Sequence, residues 1–242
     1  MEEVLKIIAV VVATTIGFTI AGVAGFGGGI IALPVLVWVF GVREAIPILA
    51  FSQALSTVSR VGLHRQALNW TVARYFVLGA LPFSVLGSFF FVSIDTAVLV
   101  RILGVMMLLF VAYTRLPIGR NFKMRVWGFI PVGAGTGFCS AFLGIPGPFS
   151  AVFYLAYGLS ASAYIGTSAL GMATIQLPKL IIFGANDLLT LRVLLMGASL
   201  GAIAAGSAYI GRIILRRVPE HVFPKIITTM LLISGVVFLI RG

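Results

Sequence analysis

Two apolar stretches of this chain, residues 4 to 41 and 126 to 157, are 38 and 32 residues long, and each is interrupted by residues that break helices. The first interruption reads Gly25-Phe26-Gly27-Gly28-Gly29; the second, 119 positions on, reads Gly144-Ile145-Pro146-Gly147-Pro148. A helix needs about 20 residues to cross a hydrocarbon core about 30 Å thick. Both stretches are too long for one pass, and each reads as a helical hairpin. Within a bilayer, non-helical backbone is tolerated only where protein or a watery cavity satisfies its N–H and C=O groups. Matched breaks in two parts of one chain therefore point to a binding site between them.

The composition excludes a soluble domain. Hydrophobic residues make up 60% of the 242 and charged residues 10%, with a mean hydropathy of +1.16, whereas soluble domains carry about 25% charged residues. The expectation is a single all-α integral membrane domain over residues 1–242. Six further apolar segments, at about 45 to 63, 71 to 93, 96 to 114, 161 to 183, 188 to 211 and 222 to 240, bring the total to eight. The hairpin arms either cross fully, giving ten helices, or stop midway, giving six spans and two re-entrant loops. The net charge of +11 comes from clustered loop residues that set topology, so no nucleic-acid partner is expected. The single cysteine, Cys139, excludes an internal disulfide and a multi-cysteine metal site. Lys6 precedes a long apolar run without a cleavage site before the glycine break, so the N-terminus reads as mature sequence.

The basic loops select the topology. Arg60, His64, Arg65 and Arg74 flank one connection, Arg115, Arg120, Lys123 and Arg125 a second, and Arg212, Arg216, Arg217 and Lys225 a third. All three are expected on the cytoplasmic side. That holds only if residues 126 to 157 enter and return. Arg43-Glu44, Asp95, Asp187 and both termini then lie on the external or periplasmic face of the inner membrane. Each half, residues 1–115 and 126–242, becomes a broken hairpin followed by three spans, and the odd span number makes the halves inverted repeats.

Residues within the halves match weakly. The arms after the breaks end at Gly41-Val42 and Gly158-Leu159, and the next helices carry early polar pairs, Ser52-Gln53 and Thr167-Ser168. Further on, Thr57 and Arg60 correspond to Thr174 and Lys179. Order, length and duplication together resemble the TauE/SafE sulfite exporter family over essentially the whole chain. The resemblance implies secondary transport of small sulfur-containing anions such as sulfite or sulfonates, sulfoacetate among them. In one respect the chain departs from symmetry: Pro146 and Pro148 remove two N–H donors from the second break.

The breaks suit an oxyanion. A helix N-terminus offers unpaired N–H groups and a partial positive charge, and glycine lets a ligand approach the backbone closely. The substrate-binding candidates are Gly25, Phe26, Gly27, Gly28, Gly29, Ser52, Gln53, Gly144, Pro146, Gly147, Thr167, Ser168 and Gln176. Thr57, Arg60 and Lys179 are pathway or gating candidates, with Arg60 and Lys179 placed near helix ends at the two mouths. Glu2, Glu3, Glu44, Asp95, Asp187 and Glu220 all fall near segment ends. Without a deep carboxylate a cation pump is disfavoured, and with His64 and His221 both in loops so is an enzyme. No cofactor or metal is expected. The partners expected are the bilayer, a small anion and a coupling ion, either proton or sodium, and a homo-oligomer is compatible with the sequence. The alternatives are an anion channel, a carrier of a non-sulfur organic anion, or a subunit in which the glycines serve packing.

Overall fold

A computed structural model describes residues 2–26, 28–115, 124–144, 147–214, 232 and 236–240. The described elements are α1 (Glu2–Ala24), α2 (Gly28–Leu63), α3 (Trp70–Ser93), α4 (Thr96–Arg115), α5 (Phe129–Leu143), α6 (Gly147–Ala156), α7 (Ala161–Ala185) and α8 (Leu191–Ile214), with short 3-10 turns at Arg65–Ala67 and Val126–Gly128. No strand occurs among the described residues. The expected last span, 222 to 240, lies largely outside them, as do residues 116 to 123 and 215 to 231 with most of the two later basic loops.

Both long stretches break where the glycines stand. Among the described residues, four glycines have positive φ: Gly25 (74°), Gly41 (73°), Gly144 (56°) and Gly158 (86°). Only glycine adopts this conformation without a steric penalty. The four fall into two pairs, one at the breaks and one at the ends of the arms that follow. The second hairpin closes on itself, since the Met124 N–H ahead of α5 donates to the Ala156 carbonyl at the end of α6 at 3.4 Å. In the first half the expected gap between residues 41 and 45 is absent. Gly41 turns the chain within α2, at ψ 164°, and the first arm runs on into the next span without a loop.

Helix lengths bear on the alternatives for the arms. At 1.5 Å per residue, residues 28 to 40 extend about 20 Å, α5 about 22 Å and α6 about 15 Å. These arms are shorter than a hydrocarbon core of about 30 Å. Among the described residues, five helical segments are long and apolar enough to cross a membrane: Glu2–Gly22, Gly28–Leu63, Trp70–Ser93, Ala161–Ala185 and Leu191–Gly211. Their outward faces carry large apolar side chains such as Leu78, Leu86, Phe89, Leu177, Ile181 and Leu195. Such a surface is stable against lipid, and the chain is an integral membrane protein.

Close helix contacts exchange partners between the halves. α3 packs on α5, backbone to backbone: a Cβ on Gly79 would meet the Ile130 carbonyl, one on Gly133 the Phe76 carbonyl, and one on Gly87 the Phe138 carbonyl at 2.7 Å. α8 packs on α1 in the same manner through Gly22 against Ala208 and Gly211 against Thr19. Small residues allow this approach where no hydrophobic force drives helices together. α2 and α7 cross between these pairs. The two larger apolar clusters among the described residues lie around Phe18, Leu33, Leu36, Phe91 and Phe183 and around Phe76, Phe129, Tyr154 and Tyr164, and Phe26 at the first break packs against both.

At one end of the bundle, Arg43 caps the C-terminus of α3. Its guanidinium donates to the carbonyls of Phe91 (3.0 Å), Val92 (3.1 Å) and Ile94, while Nε donates to Thr96 Oγ1 (3.2 Å). Glu44 beside it faces Arg192 at 3.7 Å. The same end thus gathers Arg43, Glu44, the α3–α4 turn with Asp95 and the start of α8. Positive charge at a helix C-terminus complements the dipole there.

The α3–α5 seam gives a stability prediction. Gly79→Val would push two branched methyls against the Ile130 carbonyl, and overpacking of this kind costs about 1–3 kcal/mol or more. Gly206→Ala, where a Cβ meets nothing within 4 Å, is the control. Thermal unfolding of the purified protein in detergent should show a clear loss for the first and little change for the second.

Candidate functional site

Each break begins with a helix that ends inside the protein. The Gly25 N–H donates to the Ala21 carbonyl and the Gly144 N–H to the Ser140 carbonyl, both at 3.0 Å. These are left-handed glycine caps that stop α1 and α5. A helix C-terminus leaves carbonyls without partners and carries a partial negative charge. Arg60 meets that need at the first break, with Nη1 donating to Gly25 O at 3.0 Å and Ala21 O at 3.4 Å. Lys179 meets it at the second, with Nζ donating to the Ser140 carbonyl at 3.0 Å and Ser140 Oγ at 3.3 Å. Ala21 with Ser140, Gly25 with Gly144 and Arg60 with Lys179 all stand 119 positions apart.

Both cations are removed from the surface: Arg60 is 6% exposed and Lys179 0%. Arg60 stands in the last turn of α2, and both side chains turn inward rather than toward solvent. Each bends onto the carbonyls of a broken helix, because those carbonyls are the strongest acceptors within reach. Neither is ion-paired among the described residues. Glu2 and Glu3 pair with Lys6, Glu44 faces Arg192, and Asp95 and Asp187 stand at helix ends.

The two breaks touch. Gln53 Nε2 donates to the Gly144 carbonyl, and a Cβ placed on Gly29 would run into that same carbonyl and lie 2.7 Å from Gln53 Nε2. Gln176 Nε2 in turn donates to Gln53 Oε1 at 2.7 Å. Its own Oε1 is buried and has no partner among the described residues. Gln53 on α2, Gln176 on α7 and the second break thus form one chain of hydrogen bonds across the halves. Gly28 and Gly147 open α2 and α6, so each break also presents a helix N-terminus. A Cβ on Gly28 would press on the Phe18 ring at 2.8 Å, and one on Gly25 would meet the Tyr164 ring and hydroxyl at 2.8 Å.

Other candidates are engaged locally. Ser52 Oγ lies 2.8 Å from the Ile48 carbonyl and 3.1 Å from Gly197 O. Thr57 and Ser168 donate to carbonyls within their own helices, the common fate of hydroxyls in helices. Thr167 Oγ1 accepts from the Asn69 N–H at 2.9 Å, and so secures the connection into α3. Gly27 and Pro146 lie outside the described residues. Three residues not singled out in the sequence belong to this region: Ser140, Tyr164 and Tyr154. Tyr154 stacks near Phe76, Phe129 and Tyr164, and its hydroxyl is buried without a partner among the described residues. Nothing in composition or spacing marks them, since each matters only through a tertiary neighbour.

Two helix C-termini neutralised by cations, two helix N-termini, and no carboxylate among the described residues at either break leave this region positively polarised. Chemically it can hold an anion by charge and by neutral donors. Fold and composition define a polytopic helical membrane protein. Residues 9–238 match the family described as Sulfite exporter TauE/SafE, and the chain belongs to that family, whose members are membrane transporters rather than enzymes. Searches of curated proteins and of solved structures give no match.

The glutamine link is testable as a double-mutant cycle. Gln53→Leu strands the Gly144 carbonyl and the Gln176 amide, and an unsatisfied buried polar group costs about 1–3 kcal/mol. Gln176→Leu strands less. The loss on combining the two should fall short of the sum of the singles by about 0.5–3 kcal/mol, as expected for contacting residues, measured by detergent unfolding. Additive losses would mean that the two amides do not interact.

Proposed function

We propose that the protein is a secondary transporter of small sulfur-containing anions, sulfite and sulfonates such as sulfoacetate, that holds its cargo where the two breaks meet and works by alternating access. The observation that carries this is the pair of buried cations, Arg60 and Lys179, one per half, each directed at a break and neither balanced by a carboxylate among the described residues. Unbalanced charge at membrane depth is costly and marks a pathway or a ligand site. An anion arriving between the breaks supplies the missing counter-charge.

The two halves, 1–115 and 126–242, are proposed to be inverted repeats. The paired positive-φ glycines, the paired caps at Gly25 and Gly144 and the exchanged packing of α3 on α5 and α8 on α1 support a pseudo-two-fold relation. The odd number of spans per half expected from the basic loops would make that relation an inversion. In alternating access, one set of helices rocks against the other around a fixed site. The packing of Gly29 and Gln53 onto Gly144 favours a carrier over a channel, since the breaks close on each other. The basic loops support an inner-membrane protein with both termini external.

Ligand-dependent thermal stabilisation tests the assignment. Sulfite, sulfoacetate, taurine, thiosulfate, sulfate, acetate and chloride are added in turn to the purified protein. A ligand at a hundred times its Kd stabilises by about 2.7 kcal/mol, and sulfite or sulfoacetate should do so selectively. Arg60→Gln should weaken that shift tenfold or more in apparent Kd. An equal shift with acetate, or none with any sulfur oxyanion, would remove the sulfur-anion assignment. Transport that never saturates with anion concentration in proteoliposomes would point to a channel instead.

A further inference from the structure

The two buried cations differ in what they have left to offer a ligand. Lys179 Nζ makes its contacts on Ser140, with the carbonyl at 3.0 Å and the hydroxyl at 3.3 Å, and its side chain is fully enclosed. Arg60 commits only one nitrogen of its guanidinium: Nη1 donates to both Gly25 O (3.0 Å) and Ala21 O (3.4 Å). Nη1 lies beside Cδ, so Nε and Nη2 form the opposite edge of the plane with two parallel N–H groups. Nε is enclosed and has no partner among the described residues. Nη2 likewise has none among them but is not enclosed, so this edge borders open space rather than packed side chains. Such a fork matches two oxygens of one oxyanion.

Ser56 stands one turn before Arg60 on the same face of α2. A helical side chain runs back over the turn that precedes it, and the arginine stem therefore passes over Ser56. Hydroxyls within helices ordinarily donate to a carbonyl three or four residues back, and Ser52, Thr57, Ser88, Thr136 and Ser168 all do so here. Ser56 Oγ does not. It is fully buried and has no partner among the described residues, an exception shared with Thr14 on α1. Two donors on neighbouring turns, each costly to bury unpaired, thus share the need for an acceptor from outside the helix.

We infer that the Nε–Nη2 edge of Arg60 and the hydroxyl of Ser56 form the contact site for the anion, and that Ser56 selects three-oxygen head groups over carboxylates. Resting on the anion-binding role proposed above, this seats the anion against α2 at the first break, where α2 opens at Gly28. At the second break Pro146 and Pro148 withhold two N–H groups. The arginine fork takes two oxygens of either class of anion. A sulfonate or sulfite has a third, out of the plane of the fork, to accept from Ser56 Oγ; a carboxylate has none. The carboxylate leaves the buried hydroxyl unpaired, and a polar group left unpaired is what penalises the wrong ligand. Lys179, kept from contact by its enclosure, adds positive charge from the second break.

Methanesulfonate and acetate make the test pair. Both are singly charged at neutral pH and carry one methyl group, and they differ in having three oxygens or two. Thermal-shift titration of the full-length protein in detergent should give the wild type an apparent affinity for methanesulfonate about tenfold or more above that for acetate, the worth of one hydrogen bond to a charged group. Ser56→Ala should lower methanesulfonate affinity about tenfold and leave acetate within about twofold, so that the preference collapses. Ser88→Ala, which removes an equally buried hydroxyl from α3, should leave the ratio unchanged. Arg60→Lys keeps the charge without the fork and should weaken both anions alike. Ser56→Ala, which deletes a single unbonded oxygen, keeps the test decisive if the lysine variant fails to fold. Methanesulfonate binding no tighter than acetate in the wild type, a preference undiminished in Ser56→Ala, or an equal loss of both anions in that variant overturns the selecting role of Ser56. Each of these leaves the anion site standing as long as sulfite or sulfoacetate binds. Absence of binding by sulfite and sulfoacetate as well overturns the anion site and this inference with it.

Discussion

A helix that stops inside a membrane must do something with its last carbonyls. In water they would be solvated; in hydrocarbon each unsatisfied group costs several kcal/mol. α1 and α5 both end buried within the protein, which satisfies their carbonyls from within, through a left-handed glycine that folds its own N–H back onto the helix and a cation that reaches over from a neighbouring helix. The rest of the arrangement follows from those two ends. Arg60 and Lys179 must be buried to reach them, and so α2 and α7 must run alongside the broken helices. The following arms are then free to start new helices at Gly28 and Gly147.

The same constraint accounts for where the small residues lie. α5 is short, and it is held mainly by backbone contact with α3 at Gly79, Gly133 and Gly137, with α1 held likewise by α8 at Gly22 and Gly211. Exchange of partners between the halves joins each broken helix to the opposite half. In the alternating access proposed above, a motion of one half would carry a break of the other.

Much of this was legible in the residues. The hairpins could be read from stretch length and from Gly25 and Gly144, and the arm ends from Gly41 and Gly158, because only glycine tolerates those backbone angles. The correspondence of Arg60 with Lys179 was visible as well. Their location was not, since a positive residue near a segment end is ordinarily topological, and only the neighbouring carbonyls show otherwise. The sequence also pairs Ser52-Gln53 with Thr167-Ser168, 115 positions apart, whereas the cations and caps repeat at 119. Four residues is about one helical turn, so Thr167 and Ser168 stand one turn before the positions that the 119-residue spacing makes equivalent to Ser52 and Gln53. Gln53 and Gln176 could be named as buried amides in need of partners, but their joining across the halves depends on how α2 crosses α7.

The chemistry of the cargo is constrained by what these helices had to satisfy. A carboxylate placed at either break would pair with the cation and leave a C-terminal carbonyl unsatisfied. The geometry that caps the helices therefore selects against fixed negative charge at the same place. Cations remain, each already sharing its donors with neutral oxygens, and neutral oxygens disperse charge without cancelling it. A region with this balance repels cations and offers an anion an interaction that no protein group supplies. In the anion site proposed above the attraction is divided, because Arg60 and Lys179 already donate to carbonyls. Weak, multi-point attraction is what a carrier requires: strong enough to strip a small oxyanion of part of its water, and divided enough between two helix ends to release it on the other side.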